Sequence, residues 1–126
     1  MIKTCLPLNN NAGPPIDDIV GRTVVALTML ATEVSMESCV GFWKNAEDKL
    51  FNEPVLLVTL EGNLEELAIR DALLCFKAQA EQEAVIMASS GAIEHCGAIA
   101  DLLEKHGGCT VTSRGVAFAW EGAEFL

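Results

Sequence analysis

The sequence predicts an α/β fold, with α+β as the alternative. We expect about four strands in a mostly parallel or mixed sheet, with three helices in the order β-α-β-α-β-α-β. Apolar, β-rich runs recur with starts about 30 residues apart, and helical patterns fill the intervals between them. Repeated strand–helix units favour parallel strands joined by right-handed crossovers. The predicted strands are residues 22–32, 54–60, 84–88 and 109–120.

The chain divides into a lead and a single domain. Residues 1–15 are predicted to be irregular, because "NNNAGPP" combines turn-forming residues with prolines. Residues 16–126 are predicted to form one α/β domain, since a chain of 126 residues suits a single domain.

Residues 16–34 fit two interpretations. Their many β-branched residues favour a strand. Apolar and threonine side chains also recur there at helical spacing, so a helix is the alternative. The residues on that helical face are Ile19, Thr23, Leu27, Leu30 and Val34.

Helices are predicted over residues 36–50 and 64–80 because both carry apolar stripes at helical spacing. Ser35 precedes the first and is suited to accept a hydrogen bond from an unpaired backbone N–H. Asn63, followed by Glu66, resembles a capping box at the start of the second.

A third helix is predicted over residues 91–106, with Gly107 as its natural stop. The segment 109–120 is predicted to be either one strand or a hairpin that turns at Arg114 and Gly115.

The net charge of −10 comes from 18 acidic and 8 basic residues. Because the few cations do not cluster, a nucleic acid is excluded as a partner. The most apolar segment, residues 19–34, carries Arg22 and Glu33 and is too short to span a bilayer, so no membrane partner is predicted. The N-terminus shows no signal-peptide pattern, and we predict a cytoplasmic protein.

The five cysteines are odd in number and widely spaced, and none forms a Cys-x-x-Cys pair. This pattern disfavours zinc knuckles and disulfide scaffolds and predicts buried free thiols. We predict no metal and no cofactor.

His95 and Cys96 are candidates for a reactive pair. On the predicted helix they point about 100° apart, and Cys96 falls on the apolar stripe, where it is expected to be an inert core thiol. His95 and His106 are separated by about 16 Å along the same helix and are expected not to share a metal. We therefore predict no catalytic residue, and the sequence favours a protein that is not an enzyme.

The best candidate ligand site is a rim at the carboxyl ends of two predicted strands. If those strands are neighbours, the rim combines the four residues Glu61, Asn63, Ser89 and Ser90.

Two functions follow from these observations. The favoured one is a small acidic interaction or binding module that self-associates as a homo-oligomer or pairs with another protein, because 51% of its residues are hydrophobic. Trp120, Phe125 and Leu126 are the predicted interface residues. The alternative is a small-molecule binder or small enzyme that uses the strand-end rim.

Overall fold

The structure, a computed structural model, describes residues 1–9 and 15–126. It contains three helices and eight strands in those ranges. In chain order the elements are β1 (Ile2–Pro7), α1 (Asp17–Thr28), β2 (Glu33–Lys44), β3 (Leu50–Glu61), α2 (Glu66–Gln79), β4 (Ile86–Ala88), β5 (Ile93–Cys96), α3 (Ile99–His106), β6 (Gly108–Thr112), β7 (Ala117–Glu121) and β8 (Glu124–Phe125).

The strands form one sheet in the order β5-β7-β6-β2-β3-β1-β4-β8. Every neighbouring pair is antiparallel. The predicted four-stranded, mostly parallel or mixed sheet with alternating strands and helices is therefore wrong. The even spacing of the apolar runs did not come from crossovers, because hairpins connect β2 to β3 and β6 to β7.

The helix predicted over residues 36–50 is wrong, because this segment contains most of β2 and the turn into β3. All twelve residues of β2 pair with the twelve residues of β3, and Ser35 lies within the ladder rather than at a helix start. Asn45 makes the turn: its Oδ1 accepts hydrogen bonds from the backbone N–H groups of Glu47 and Lys49, each 3.0 Å long.

Residues 17–28 form helix α1, so the strand predicted at 22–32 is wrong. The helical alternative for 16–34 is correct up to Thr28, but Val34 lies in β2. This segment forms a helix rather than a strand because its inward side chains recur at helical spacing and form one buried stripe. These buried residues are Val20, Thr23 and Leu27.

The helix predicted at 64–80 is confirmed as α2, but its capping box is not formed. The helix begins at Glu66 after Glu65, and no side chain of the described residues caps it. Its apolar face is fully buried and consists of Ile69, Leu73 and Phe76. No helix in the described ranges is long and apolar enough to cross a bilayer.

The segment predicted as one helix over 91–106 is partly wrong. It begins as strand β5, and only its second half forms helix α3. The stop at Gly107 is confirmed, because this glycine adopts φ 75° and donates its N–H to the Leu103 carbonyl at 3.0 Å.

The segment 109–120, predicted to be one strand or a hairpin, is a hairpin. β6 and β7 pair around a turn in which Gly115, at φ 80°, donates its N–H to the carbonyl of Thr112 at 2.9 Å.

The predicted irregular lead contains a central strand. β1 lies between β3 and β4 and pairs with both. Leu6 is fully buried, and so is Thr4, whose hydroxyl donates to the carbonyl of Ile86 at 2.7 Å. Residues 10–14 of the predicted lead lie outside the described residues.

All three helices pack on one face of the sheet, the outer face. α1 and α2 share a core with β1, β3 and β4, and α3 shares a smaller one with β6 and β7. The opposite face, the inner face, is concave. Side chains from four strands meet on it, although β1 and β7 would stand about 19 Å apart in a flat sheet. The inner cluster consists of Cys5, Cys39, Val55, Leu57 and Phe118. The sheet is therefore a curled half-barrel.

Two short links confirm the curl. β4 and β5 stand six positions apart in the strand order, which is about 29 Å in a flat sheet. Residues 89–92 nevertheless connect them, and such a link reaches only about 18 Å. Gly122 and Ala123 connect β7 to β8, which also stand six positions apart in the strand order. The two ends of the sheet thus lie side by side, and we call the line between them the seam.

Candidate functional site

A pocket of about 480 Å³ opens at the seam. Residues 89–92 form a turn there, closed by a 2.9 Å hydrogen bond from the N–H of Ala92 to the carbonyl of Ser89. This turn interrupts the pairing between the β4–β5 segment and the β7–β8 segment. The residues that line this seam pocket are Met1, Lys3, Ala88, Ser89, Ser90, Ala92, Glu94 and Trp120.

Trp120 supplies the wall of the seam pocket on the inner face. Its ring packs against Phe118, with centroids 5.3 Å apart. Its indole Nε1 is buried and has no hydrogen-bond partner among the described residues. A buried polar group without a partner costs about 1–3 kcal/mol. The indole N–H is therefore a donor without an acceptor in the described ranges, carried by a side chain that lines the seam pocket.

An ion pair spans the mouth of the seam pocket. Lys3 of β1 bonds to Glu94 of β5, although these strands stand five positions apart in the strand order. Their side chains are 25% and 42% exposed, so the pair contributes at most about 1 kcal/mol. Lys3 is therefore free to exchange Glu94 for another acceptor at low cost.

The predicted rim is split between two places. Ser89 and Ser90 line the seam pocket, whereas Asn63 lines a separate depression of about 380 Å³ beside the end of α1. The carbonyl of Glu61 accepts the N–H of Thr32 at 2.9 Å, next to that depression. Because β1 lies between β3 and β4, the strands are not neighbours, and the condition for a shared rim is not met. A binding role for these residues stays a prediction.

Among the pocket residues that sequence reasoning did not place at a ligand site are Lys3 and Trp120. The alternation of Phe118 and Trp120 along β7 was a signal that both point to one face. Lys3 gave no such signal, because its segment was interpreted as irregular.

The inner face below the pocket holds a thiol and a carboxyl group. Burial raises the pKa of Cys5 to about 12, and its sulfur lies 4.0 Å from the Thr110 hydroxyl. Burial also raises the pKa of Glu53 above its usual value. Cys5 is therefore protonated at neutral pH and is a poor nucleophile.

Thiol labelling of the native protein is expected to modify two of the five cysteines. Cys75 and Cys96 are exposed, whereas the other three are buried and have a pKa raised by that burial. Mass spectrometry after brief iodoacetamide treatment at pH 8 measures the sites. All five should react in urea, and native modification of Cys5 would contradict the buried inner face.

Glu53→Gln is expected to stabilise the protein at pH 7. Burial raises the folded-state pKa of Glu53 above the usual 4.5, so the unfolded state ionises first as pH rises. The wild type therefore loses stability from about pH 4.5 upward until the folded-state pKa is passed. Urea denaturation at pH 4 and pH 7 measures the difference. Glu61→Gln, exposed on the same strand, is the control, and an equal response of both variants would refute the prediction.

The structure places His95 and Cys96 in a strand rather than a helix. Cys75 and Cys96 are exposed, so their prediction as buried thiols is wrong, while burial is confirmed for Cys5, Cys39 and Cys109. The expected separation of His95 from His106 is also wrong, because their rings stack with centroids 5.2 Å apart. The chain reverses between β5 and α3, which brings the two histidines together.

The predicted interface residues lie in three different settings. Trp120 lines the seam pocket, and Leu126 is partly buried against the outer core and pairs through its backbone with Val85. Phe125 is 74% exposed. Their role in self-association stays a prediction.

Comparison with known proteins adds no relative: no protein family, curated protein or solved structure matches this chain. The class of protein is therefore defined by its own geometry, an antiparallel half-barrel sheet with helices on its outer face and a pocket at its seam.

Proposed function

We propose that the chain is a binding module that takes a small molecule in the seam pocket. The observation that supports this proposal is the indole N–H of Trp120, a side chain that lines the pocket: this N–H is buried and has no partner among the described residues. Ligand sites combine apolar walls with a few polar groups that fix orientation. Here the ring of Trp120 and two alanines give apolar surface, and Ser89 and Ser90 add hydroxyl groups.

The chemistry of the pocket favours a neutral ligand with a planar apolar body and a carbonyl group. A rotation of the Trp120 ring would bring its buried N–H to the carbonyl oxygen, and the serine hydroxyls either donate or accept. Glu94 at the mouth and the net charge of −10 disfavour a free anion.

Benzamide titration, followed by the ¹⁵N NMR signals of the indole N–H groups, tests the proposal. The chain has two tryptophans, so Trp43, which stacks on Phe51 away from the pocket, is an internal reference. Benzamide at about 1–10 mM is expected to move the Trp120 signal downfield, because weak fragments bind in this range. Ethylbenzene, which lacks the acceptor, should not produce that shift. A Trp120 signal that stays in place, or moves no more than that of Trp43, would refute the proposal.

A serine variant locates the bound probe. Ser90→Ala is expected to weaken benzamide binding about fivefold, the equivalent of one hydrogen bond of about 1 kcal/mol. Ser38→Ala, exposed on β2, is the matched control and should leave binding unchanged. Equal affinity of the two variants would remove Ser90 from the site.

A second candidate function is self-association. Met36 and Val40 lie on the outer face of β2 and are 54% and 39% exposed. Together with the exposed Phe125 they give apolar surface that a second copy or another protein would cover. Light scattering at micromolar concentration tests this candidate: a dimer that Val40→Lys dissociates supports it, and a strict monomer contradicts it.

The proposal includes a cytoplasmic location, because an odd set of five unpaired thiols suits a reducing compartment.

A further inference from the structure

The only two histidines of the chain meet on its surface. His95 lies on β5 and His106 ends α3, and their rings stack with centroids 5.2 Å apart and planes within 22° of parallel. Glu121 of β7 completes the cluster, with its Oε2 2.6 Å from Nε2 of His95. The side chains of His95 and Glu121 are 38% and 63% exposed, so ions in solvent reach them.

The carboxylate of Glu121 sets the state of the His95 ring. An ionised carboxylate only accepts hydrogen bonds, so Nε2 of His95 is the donor. The lone pair of the neutral imidazole then lies on Nδ1. A histidine that donates one ring N–H to a carboxylate and offers its other nitrogen is the arrangement found behind many metal ligands.

We propose that His95 and His106 form a binding site for a divalent transition-metal ion such as Zn²⁺. Glu121 acts as a positioning residue that holds the His95 ring through Nε2. Imidazole nitrogen is a preferred ligand of zinc, copper and nickel. Two imidazoles on a tetrahedral Zn²⁺ have ring centres about 5 Å apart, given Zn–N bonds of about 2.1 Å. The observed separation matches that value, and binding requires one of the near-parallel rings to rotate about its Cβ–Cγ bond.

The site uses two ligands from the chain. Among the described residues no set of three His, Cys, Asp or Glu side chains is arranged to hold a metal ion. Water therefore fills the remaining positions, and the ion exchanges with solvent. A bound ion would tie β5, at one end of the strand order, to the end of α3, and the net charge of −10 favours its approach.

Calorimetric titration of the protein with ZnCl₂ tests the proposal. Cys75→Ser/Cys96→Ser serves as the background, because cysteine thiolates are zinc ligands and these two thiols are exposed. We expect one ion per chain and at least about a tenfold loss of affinity in His95→Ala and in His106→Ala. Glu121→Gln should lower the zinc affinity about 10–100-fold, the usual effect of mutating a residue that hydrogen-bonds to a ligating histidine. Asp101→Asn, exposed on α3, is the control and should bind as the background does.

NMR provides a readout that does not depend on the heat of binding. Zn²⁺ should shift the imidazole signals of both histidines and leave the indole N–H signal of Trp120 in place, which separates this site from the seam pocket. Equal zinc affinity in the background and in both histidine variants would overturn the proposal. Imidazole signals that do not respond to Zn²⁺ would overturn it as well.

Discussion

Leu6→Ala is expected to lower the free energy of unfolding by about 2–5 kcal/mol, the usual cost of truncating a buried leucine. Leu6 is fully buried in β1, between the strands β3 and β4, and packs in the core under α1 and α2. Its removal leaves a cavity at the centre of the outer core. Urea denaturation followed by circular dichroism measures the loss.

Two further substitutions make this result specific to burial. Leu67→Ala removes a leucine that is 75% exposed on α2 and should change stability by less than about 0.5 kcal/mol. Leu6→Met nearly conserves volume and should cost less than about 1.5 kcal/mol. If Leu6→Ala matched Leu67→Ala, residues 2–7 would not be a central strand.

Gly62→Ala is the second substitution with a large expected effect. It should lower the free energy of unfolding by about 3 kcal/mol, because backbone strain and overpacking act together. Gly62 has φ 121°, a conformation that a residue with a side chain rarely adopts. A Cβ at this position would lie 2.3 Å from Oγ1 and 2.7 Å from Cβ of Thr32. Because Thr32 is held by its N–H bond to the Glu61 carbonyl, it does not move away freely.

A double variant separates the two contributions. Thr32→Gly removes both clashing side-chain atoms, so Gly62→Ala in that background should cost only the strain of about 1–3 kcal/mol. Gly91→Ala is the control, since a Cβ there has nothing within 4 Å and Gly91 has no positive φ. A Gly62→Ala variant as stable as Gly91→Ala would contradict the geometry of this corner.

The elements that could be predicted from the sequence are those that carry a local signal. Helix α2 and the β6–β7 hairpin belong to this group, because an apolar stripe and a glycine turn are local signals. β2 does not, since its outer face exposes Met36 and Val40 while its inner face carries Glu37. Val40 and Trp43 therefore matched helical spacing by chance. Asn45 is the local signal of the turn between β2 and β3.

β1 was missed because its burial is not encoded in its composition. Thr4 and Lys3 are polar residues in the middle of the sheet, where Thr4 is satisfied by a hydrogen bond to the carbonyl of Ile86. Only the long-range pairing with β3 and β4 makes this segment a strand, and such pairing leaves no local pattern.

The site was predictable only in part. Ser89 and Ser90 stood out through their position before a glycine, and they line the seam pocket. The contribution of Trp120 depends on the curl of the sheet. The meeting of His95 and His106 depends on a chain reversal near Gly97, a glycine within the predicted helix that could have indicated the break.

The position of β1 also has a consequence for synthesis on the ribosome. Its partners in β3 are Val55 to Leu60, and those in β4 are Ile86 to Ala88. At about 5–20 residues per second, β1 waits several seconds after its synthesis for both neighbours. Until then the backbone N–H and C=O groups of residues 2–7 have no strand partners, and such unpaired groups are prone to pair with another molecule. We therefore expect nascent chains of this protein to depend on chaperones that shield extended segments.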